Sequence, residues 1–181
     1  AGVYIGFGGQ LALVALEQGM GRIVAGIVFS LGLVLVLIAG AELFTGNVLM
    51  VIGALGRQVP LRGLLKNWLF VYAGNFIGSV ILAAVVWHSG VLGHAGGLNK
   101  LGELAVSVAQ TKLAFSFFES LLRGILCNIL VLLAIIMSIV AKDVISKVAV
   151  IIFPIAAFMA CSFEHSIANM YLITIGLAAK G

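Results

Sequence analysis

Two hydrophobic runs in this chain are too long to cross a membrane as single straight helices. They cover residues 23–56 and 148–179, and so contain 34 and 32 residues. As continuous helices they would be about 50 Å long, at about 1.5 Å per residue. The hydrocarbon core of a bilayer is only about 30 Å thick. Each run must therefore bend, break or leave the membrane part-way along its length.

Each run is interrupted by a polar motif with the same spacing. The first motif is Glu42-Leu-Phe-Thr-Gly-Asn47 and the second is Glu164-His-Ser-Ile-Ala-Asn169, so both read Glu-x4-Asn. Glu42 is the only charged residue of the first run, and the second run carries only Glu164 and His165. Pairs of discontinuous helices place a solute site near the bilayer midplane. The pattern predicts a channel or transporter.

The composition is that of a membrane protein. The chain is 63% hydrophobic and 9% charged, with a mean hydropathy of +1.28, which excludes an ordinary soluble domain. The lipid bilayer is therefore an expected partner. The net charge of +4 does not indicate nucleic-acid binding, because the few Lys and Arg residues of a membrane protein lie mostly in its loops.

Five hydrophobic segments can be placed, and the second and fifth contain the breaks. A polar, glycine-rich connection over residues 89–112 separates the third segment from the fourth. We expect the breaks near residues 40–47 and 161–167. The chain opens inside an apolar run and stops soon after another, so we expect truncated ends and a missing sixth span. The segments cover residues 1–16, 23–56, 67–88, 113–141 and 148–179.

The two motifs also suggest an internal repeat. Placing Glu42 on Glu164 matches Asn47 with Asn169 at the same offset of 122 positions. Three spans per half would make the halves inverted in the membrane. We therefore predict one transmembrane domain over residues 1–181, with half one at about 1–88 and half two at about 113–181.

Basic residues give the predicted orientation. They cluster in the loops after segments two and four, which lie on the same side if every segment crosses. The positive-inside tendency places both loops in the cytoplasm and the connection at 89–112 outside. The basic residues concerned are Arg57, Arg62, Lys66, Lys142 and Lys147.

The two glutamates at membrane depth have two possible roles. Carboxylates there suit a cation, but each restarting half-helix also exposes unpaired N–H groups and its positive dipole end. Two such helix ends at the midplane would favour an anion. We favour a structural role, in which Glu42 and Glu164 satisfy those N–H groups with help from Asn47 and Asn169.

His165 is the one group predicted at the midplane that can titrate near neutral pH. It can hold an anion or pass it a proton; alternatively it is a neutral histidine buried for structure. Thr45 lies in the equivalent break and can bond to the same solute or to His165. No zinc site is expected, because His88 and His94 lie in or near the outer connection and no ligand cluster exists.

Segment four contributes further polar groups. Glu119 and Arg123 are four residues apart, so mutual neutralisation is expected. Asn128 lies deep in the same apolar helix and needs a partner. Periodicity leaves open whether that partner is another helix or a pore.

Three motifs together resemble the formate/nitrite transporter family. They are the Glu42–Asn47 motif, Arg123-Gly-Ile-Leu-Cys-Asn128 and Phe163-Glu-His-Ser-Ile-Ala-Asn-Met170. The resemblance implies an all-α, aquaporin-like fold of six spans with two broken helices, of which the terminal parts are absent here. It also implies a homopentamer in the inner (plasma) membrane, with one pore per protomer for a small monovalent anion. No enzyme activity, cofactor or metal is expected.

The resemblance also implies pore positions. The central histidine falls on His165, with Thr45 and Asn128 as neighbours, and the basic residue of the outer vestibule falls on Lys112. Glycine is expected where this chain has Ser162. Hydrophobic constrictions fall on Leu33, Leu43 and Phe44 toward the cytoplasm and on Phe29 and Phe158 toward the outside.

The leading hypothesis is a passive or proton-coupled channel for formate, nitrite or hydrosulfide. A water channel of aquaporin type is the nearest alternative, but it predicts Asn-Pro-Ala at both breaks, and the only prolines are Pro60 and Pro154. An intramembrane hydrolase using His165 with Ser162 or Ser166 is a third hypothesis.

Overall fold

The computed structural model describes residues 1–93 and 96–181, and every regular element among them is helical. His94 lies outside the described residues. A short 3-10 helix covers Asn47–Leu49. The α-helices are α1 (Gly2–Glu17), α2 (Gly21–Phe29), α3 (Leu31–Ala39), α4 (Met50–Leu55), α5 (Leu61–His88), α6 (Lys100–Leu113), α7 (Phe117–Val140), α8 (Val144–Ala160) and α9 (Ser166–Lys180).

The first long run is broken, as predicted. Helices α2 and α3 follow one another through Ser30, and together they form an apolar span of 19 residues. This span ends at Gly40, whose φ of +83° is favourable only for glycine. Residues 40–46 are irregular, and the chain resumes with the 3-10 turn and α4.

The second long run breaks in the corresponding place. Helix α8 is N-capped by Asp143, whose side chain accepts a hydrogen bond from the Ser146 N–H at 2.9 Å. It ends at Ala160, residues 161–165 are irregular, and α9 begins at Ser166. Both predicted breaks are therefore confirmed.

Three sequence-based boundaries are wrong. The connection at 89–112 is partly helical, because Asn99 caps α6 through the Gly102 N–H and the helix packs against α9. Helix α5 begins directly after Pro60, so Arg62 and Lys66 belong to its first turns and not to a loop. Helix α7 begins at Phe117, after a capping box formed by Ser116 and Glu119.

Helices α1 and α9 form the centre of the bundle. Helix α1 packs against α2, α3, α5 and α9, and α9 packs against α5 and α6. Small residues make these contacts close. A Cβ atom on Gly176 of α9 would lie 2.4 Å from the Ala105 carbonyl oxygen of α6, and one on Gly2 would lie 1.9 Å from the Asn75 carbonyl oxygen of α5.

Large apolar side chains cover the outward faces of α5 and α7. Leu69 is 68% exposed and Ile139 is 73% exposed, and they belong to a longer series on these two helices. Both helices are long and apolar enough to cross a membrane, as is the α2–α3 span. Such surfaces are stable against lipid tails or neighbouring protein, but not in water.

The α6–α9 contact generates a stability prediction. Gly176→Ala should lower the thermal midpoint of the detergent-solubilised protein, because its methyl group meets the Ala105 carbonyl. Gly74→Ala is the matched control, since among the described residues no atom beyond its own stretch of helix lies within 4 Å of its Cβ position. Alanine is more favourable than glycine in a helix by about 1 kcal/mol, so the control should be neutral or stabilised. Equal midpoints for the two variants would contradict this packing.

Candidate functional site

The two breaks meet at His165. This residue is buried and forms the N-cap of α9, where its Nδ1 atom accepts a hydrogen bond from the Ala168 N–H at 3.0 Å. Its Nε2 atom lies 3.3 Å from Thr45 Oγ1 in the first break. A ring nitrogen that accepts a hydrogen bond carries no proton, so the neutral ring carries its proton on Nε2. The proton-bearing nitrogen therefore faces the other break.

A cavity of about 230 Å³ lies beside this contact. His165 and Thr45 line it together with Phe44 from the first break and Asn128 from α7. The Oδ1 atom of Asn128 is buried and has no hydrogen-bond partner among the described residues. The structure thus brings together the three polar residues that the sequence proposed for the pore centre.

The two Glu-x4-Asn motifs form equivalent side-chain pairs. Asn47 Nδ2 donates to Glu42 Oε2, and Asn169 Nδ2 donates to Glu164 Oε2 at 2.8 Å. The broken backbone has other partners than the carboxylates that we expected. These partners are Asn75, His165 and Arg123.

Asn75 of α5 holds the first break. Its Oδ1 accepts from the Phe44 N–H at 3.1 Å, and its Nδ2 donates to the Glu42 carbonyl at 3.0 Å. The side chain is 3% exposed. One amide therefore replaces both a missing backbone acceptor and a missing backbone donor.

Lys112 is paired with a carboxylate. Its Nζ lies 2.6 Å from Glu164 Oε2, and the two side chains are 14% and 10% exposed. The sequence suggested an open cation closing a loop, but Lys112 lies in the last turn of α6, 52 positions before its partner. This ion pair therefore ties α6 to the second break.

Arg123 does not neutralise Glu119, contrary to expectation. Its guanidinium donates to the Ser162 carbonyl at 2.9 Å and lies 4.2 Å from the centre of the Phe115 ring. Glu119 instead bonds to the Ser116 N–H and hydroxyl at the start of α7. Arg123 thus fixes the backbone of the second break.

A larger cavity, of about 630 Å³, is lined by residues 161–164 of this break. Its charged lining residues are Arg22, Lys112, Arg123 and Glu164. Glu164 lines both cavities, so both adjoin the second break. We call the larger one the basic cavity.

Aromatic side chains surround His165. Phe158 stacks on its ring with centroids 5.9 Å apart, and Phe29 meets Phe158 edge-to-face at 5.6 Å. Phe29, Phe158, Leu33 and Leu43 are all buried in the core. The ring centroids of Phe44 and Tyr72 are 5.0 Å apart. Of the residues predicted to form the constrictions, only Phe44 lines one of these two cavities.

The described residues contain no group of three or more His, Cys, Asp or Glu side chains able to hold a metal. The site is instead built from neutral donors, two carboxylates and three cations. Two helices that stop and restart at membrane depth meet at a buried histidine. This arrangement is what the resemblance to the transporter family implies.

Comparison with known proteins decides the family. The sequence profile described as "Formate/nitrite transporter" matches residues 1–181. The chain belongs to the formate/nitrite transporter family. It is accordingly an integral membrane protein, and the relatives described next are named as channels or transporters.

The chain is 40% identical to the formate channel FocA of Haemophilus influenzae over 168 residues, which cover 93% of this chain and 58% of that protein. It is 37% identical to a probable formate transporter of Methanothermobacter thermautotrophicus, covering all of this chain and 73% of that protein. The chain thus spans little more than half of the FocA relative.

Two solved structures have the same fold. One is a pentameric formate channel with formate bound, with a TM-score of 0.82 at 35% identity. The other is an FNT family ion channel, with a TM-score of 0.88 at 31% identity. They are matched over 97% and 98% of this chain and over 71% of each solved chain.

Ser162, where the family resemblance predicts glycine, has a backbone conformation that is typical of glycine. Its φ of +59° lies in the left-handed region, which glycine adopts without strain. Serine keeps the same turn here, and its hydroxyl accepts a hydrogen bond from Arg22. A glycine at this position would lack that contact.

Sequence reasoning missed Asn75, Arg22 and the bond between Arg22 and the Ser162 hydroxyl. A signal existed for Asn75, because a lone asparagine within an apolar span needs a partner. None existed for Arg22, which bonds to a residue 140 positions away.

The Lys112–Glu164 pair generates a double-mutant prediction. Lys112→Met alone should destabilise the fold by about 3 kcal/mol, because it leaves a partly buried carboxylate without its cation. Glu164→Gln alone leaves the ammonium unpaired. The double variant should be less destabilised than the sum of the single variants. Thermal midpoints in detergent measure all three, and additive losses would show that the pair is not coupled.

Proposed function

We propose that this chain belongs to a membrane channel for small monovalent weak-acid anions, of the class of formate, nitrite and hydrosulfide. The observation that carries the proposal is the meeting of the two breaks at His165 and Thr45, 3.3 Å apart beside a cavity. Family membership supports it, as does the relative named as a formate channel.

The protein is proposed to act as a homopentamer that passes several times through the inner (plasma) membrane. The neighbouring structure described as a pentameric formate channel supports this assembly. The exposed apolar faces of α5 and α7 provide surface for lipid and for neighbouring subunits. Residues 1–181 form one transmembrane domain, whose halves at about 1–88 and 113–181 are related by the two equivalent Glu–Asn pairs.

His165 serves as a hydrogen-bond donor to the anion. Its Nδ1 accepts from the Ala168 N–H, so the Nε2–H, which faces Thr45 Oγ1 at 3.3 Å, is the one donor of the ring that an anion could share or take over. A neutral ring that gave up this proton would become an imidazolate, which is not accessible near neutral pH. A proton could reach the anion only from the doubly protonated ring, and that ring would have lost its bond to Ala168. Thr45 and the free Oδ1 of Asn128 complete the polar lining.

Phe29 and Phe158 are proposed to form a dry barrier between the basic cavity and the smaller cavity beside His165. Phe29 and Phe158 are each 2% exposed, and Phe158 lies on the His165 ring. Leu33, Leu43 and Phe44 form the opposite barrier. Moving an isolated charge into such surroundings is costly, so the barriers favour the neutral acid or an anion held by donors.

The role that we propose for Lys112 is mainly structural. Its charge is compensated by Glu164, so it positions the second break and adds less field than an isolated cation would.

The two alternatives have less support. A water channel of aquaporin type would carry Asn-Pro-Ala at its breaks, and no proline occurs there. In a hydrolase His165 would activate a serine. Its Nε2 lies instead against Thr45, and the Ser162 hydroxyl bonds to Arg22.

The test is flux in proteoliposomes for formate, acetate, lactate, nitrite, hydrosulfide and chloride at several pH values. His165→Asn is the decisive variant. Asparagine is a favourable N-cap, so it keeps the start of α9 while removing the Nε2 donor. We expect formate flux to fall about 10- to 100-fold, since a hydrogen bond to a charged group contributes about 1.5–3 kcal/mol.

His165→Phe is the companion variant, because it removes both the cap and the donor. It should lose flux and also about 1 kcal/mol of stability. Unchanged flux in His165→Asn over pH 5 to 8 would remove His165 from the conduction mechanism. Flux of water or glycerol without flux of any anion would favour the aquaporin-type alternative.

A further inference from the structure

Among the described residues, the basic cavity contains two cations that are not paired with a carboxylate, Arg22 and Arg123, and they differ in how far the protein occupies their donors. Of its three cations, Lys112 is paired with Glu164 at 2.6 Å. Arg123 is held by the Ser162 carbonyl and by the Phe115 ring. Arg22 bonds only to the neutral hydroxyl of Ser162, and it contacts no carboxylate among residues 1–93 and 96–181. Arg22 is therefore the cation of this cavity whose donors are least occupied by the protein.

Arg22 and Ser162 present several donors to the same space. Arg22 is exposed in the first turn of α2 and has five N–H donors in a planar fork that matches a carboxylate. The Ser162 hydroxyl accepts one of them, which leaves its own O–H free to donate. Both residues line the basic cavity.

We propose that Arg22 and the Ser162 hydroxyl form an anion-binding subsite in the basic cavity, one step before His165 along the pathway. Its ligand is a small planar monovalent anion such as a carboxylate, held by the guanidinium fork and the serine O–H. The cavity, at about 630 Å³, accommodates such an anion with part of its water. This subsite deepens the proposed function and rests on it for its place in the pathway.

Cys161 provides a test that does not require transport. It is exposed, lines the basic cavity and lies next to Ser162, whereas Cys127 is buried. A thiol in a positive field reacts faster with the anionic reagent MTSES and slower with the cationic reagent MTSET. Arg22→Gln should lower the ratio of the two rates at Cys161 about fivefold at low salt. Cys161→Ser measures the background.

Arg62→Gln is the matched control, because Arg62 is exposed and lies outside the basic cavity. It should leave the ratio unchanged. Sodium formate at constant ionic strength should slow the MTSES reaction in the parent protein and in Arg62→Gln, but not in Arg22→Gln. A ratio unaffected by Arg22→Gln, or formate protection that persists in this variant, would overturn the subsite.

Flux measurements then place the subsite in the pathway. Arg22→Gln should raise the formate concentration for half-maximal flux about five- to tenfold and leave the maximal flux within twofold. Ser162→Gly should shift the same concentration in the same direction by a smaller factor. If the parent protein passed no anion, the proposed function would fail while the Cys161 ratios still reported on the subsite. Unshifted flux curves in both variants of a conducting protein would overturn the subsite alone.

Discussion

Much of this structure depends on the two breaks, where irregular backbone lies at membrane depth. The polar groups of that backbone need hydrogen-bond partners. Lipid offers no hydrogen bonds, so irregular backbone survives there only where protein or a water-filled cavity surrounds it. Asn75 bonds to both sides of the first break, and Arg123 and His165 hold the second. Each of these side chains comes from a helix packed against the break or starting at it. The packing of the helices and the geometry of the breaks therefore depend on the same contacts.

The same contacts orient the residues of the candidate site. A histidine that caps a helix with Nδ1 must present its other nitrogen elsewhere, and here Nε2 meets Thr45 from the opposite break. The cap thus fixes the tautomer as well as the ring position. Glu164, which is paired with Asn169 and Lys112, lines both cavities. The residues that hold the breaks are therefore the same few that we propose for the pore.

Much of the fold was predictable from the sequence, because a hydrophobic run whose helix would be longer than the bilayer is thick must bend or break. It located both breaks, and the repeated Glu-x4-Asn spacing identified residues that pair within each one. Helix α6 was missed because its polar and glycine residues resemble a loop, although an asparagine cap and packing on α9 make it helical. The pairing of Lys112 with Glu164 was also missed, since no local pattern links residues 52 positions apart.

The central claim is that His165 is a neutral hydrogen-bond donor whose Nδ1 is committed to α9. Solid-state ¹⁵N NMR of the labelled protein in lipid bilayers measures this directly, because it distinguishes protonated from unprotonated ring nitrogens. We predict an unprotonated Nδ1 and a protonated Nε2 near neutral pH, with the Nε2 signal moving when formate is added and the Nδ1 signal staying in place. A ring protonated on both nitrogens, or an Nε2 signal indifferent to formate, would contradict the account.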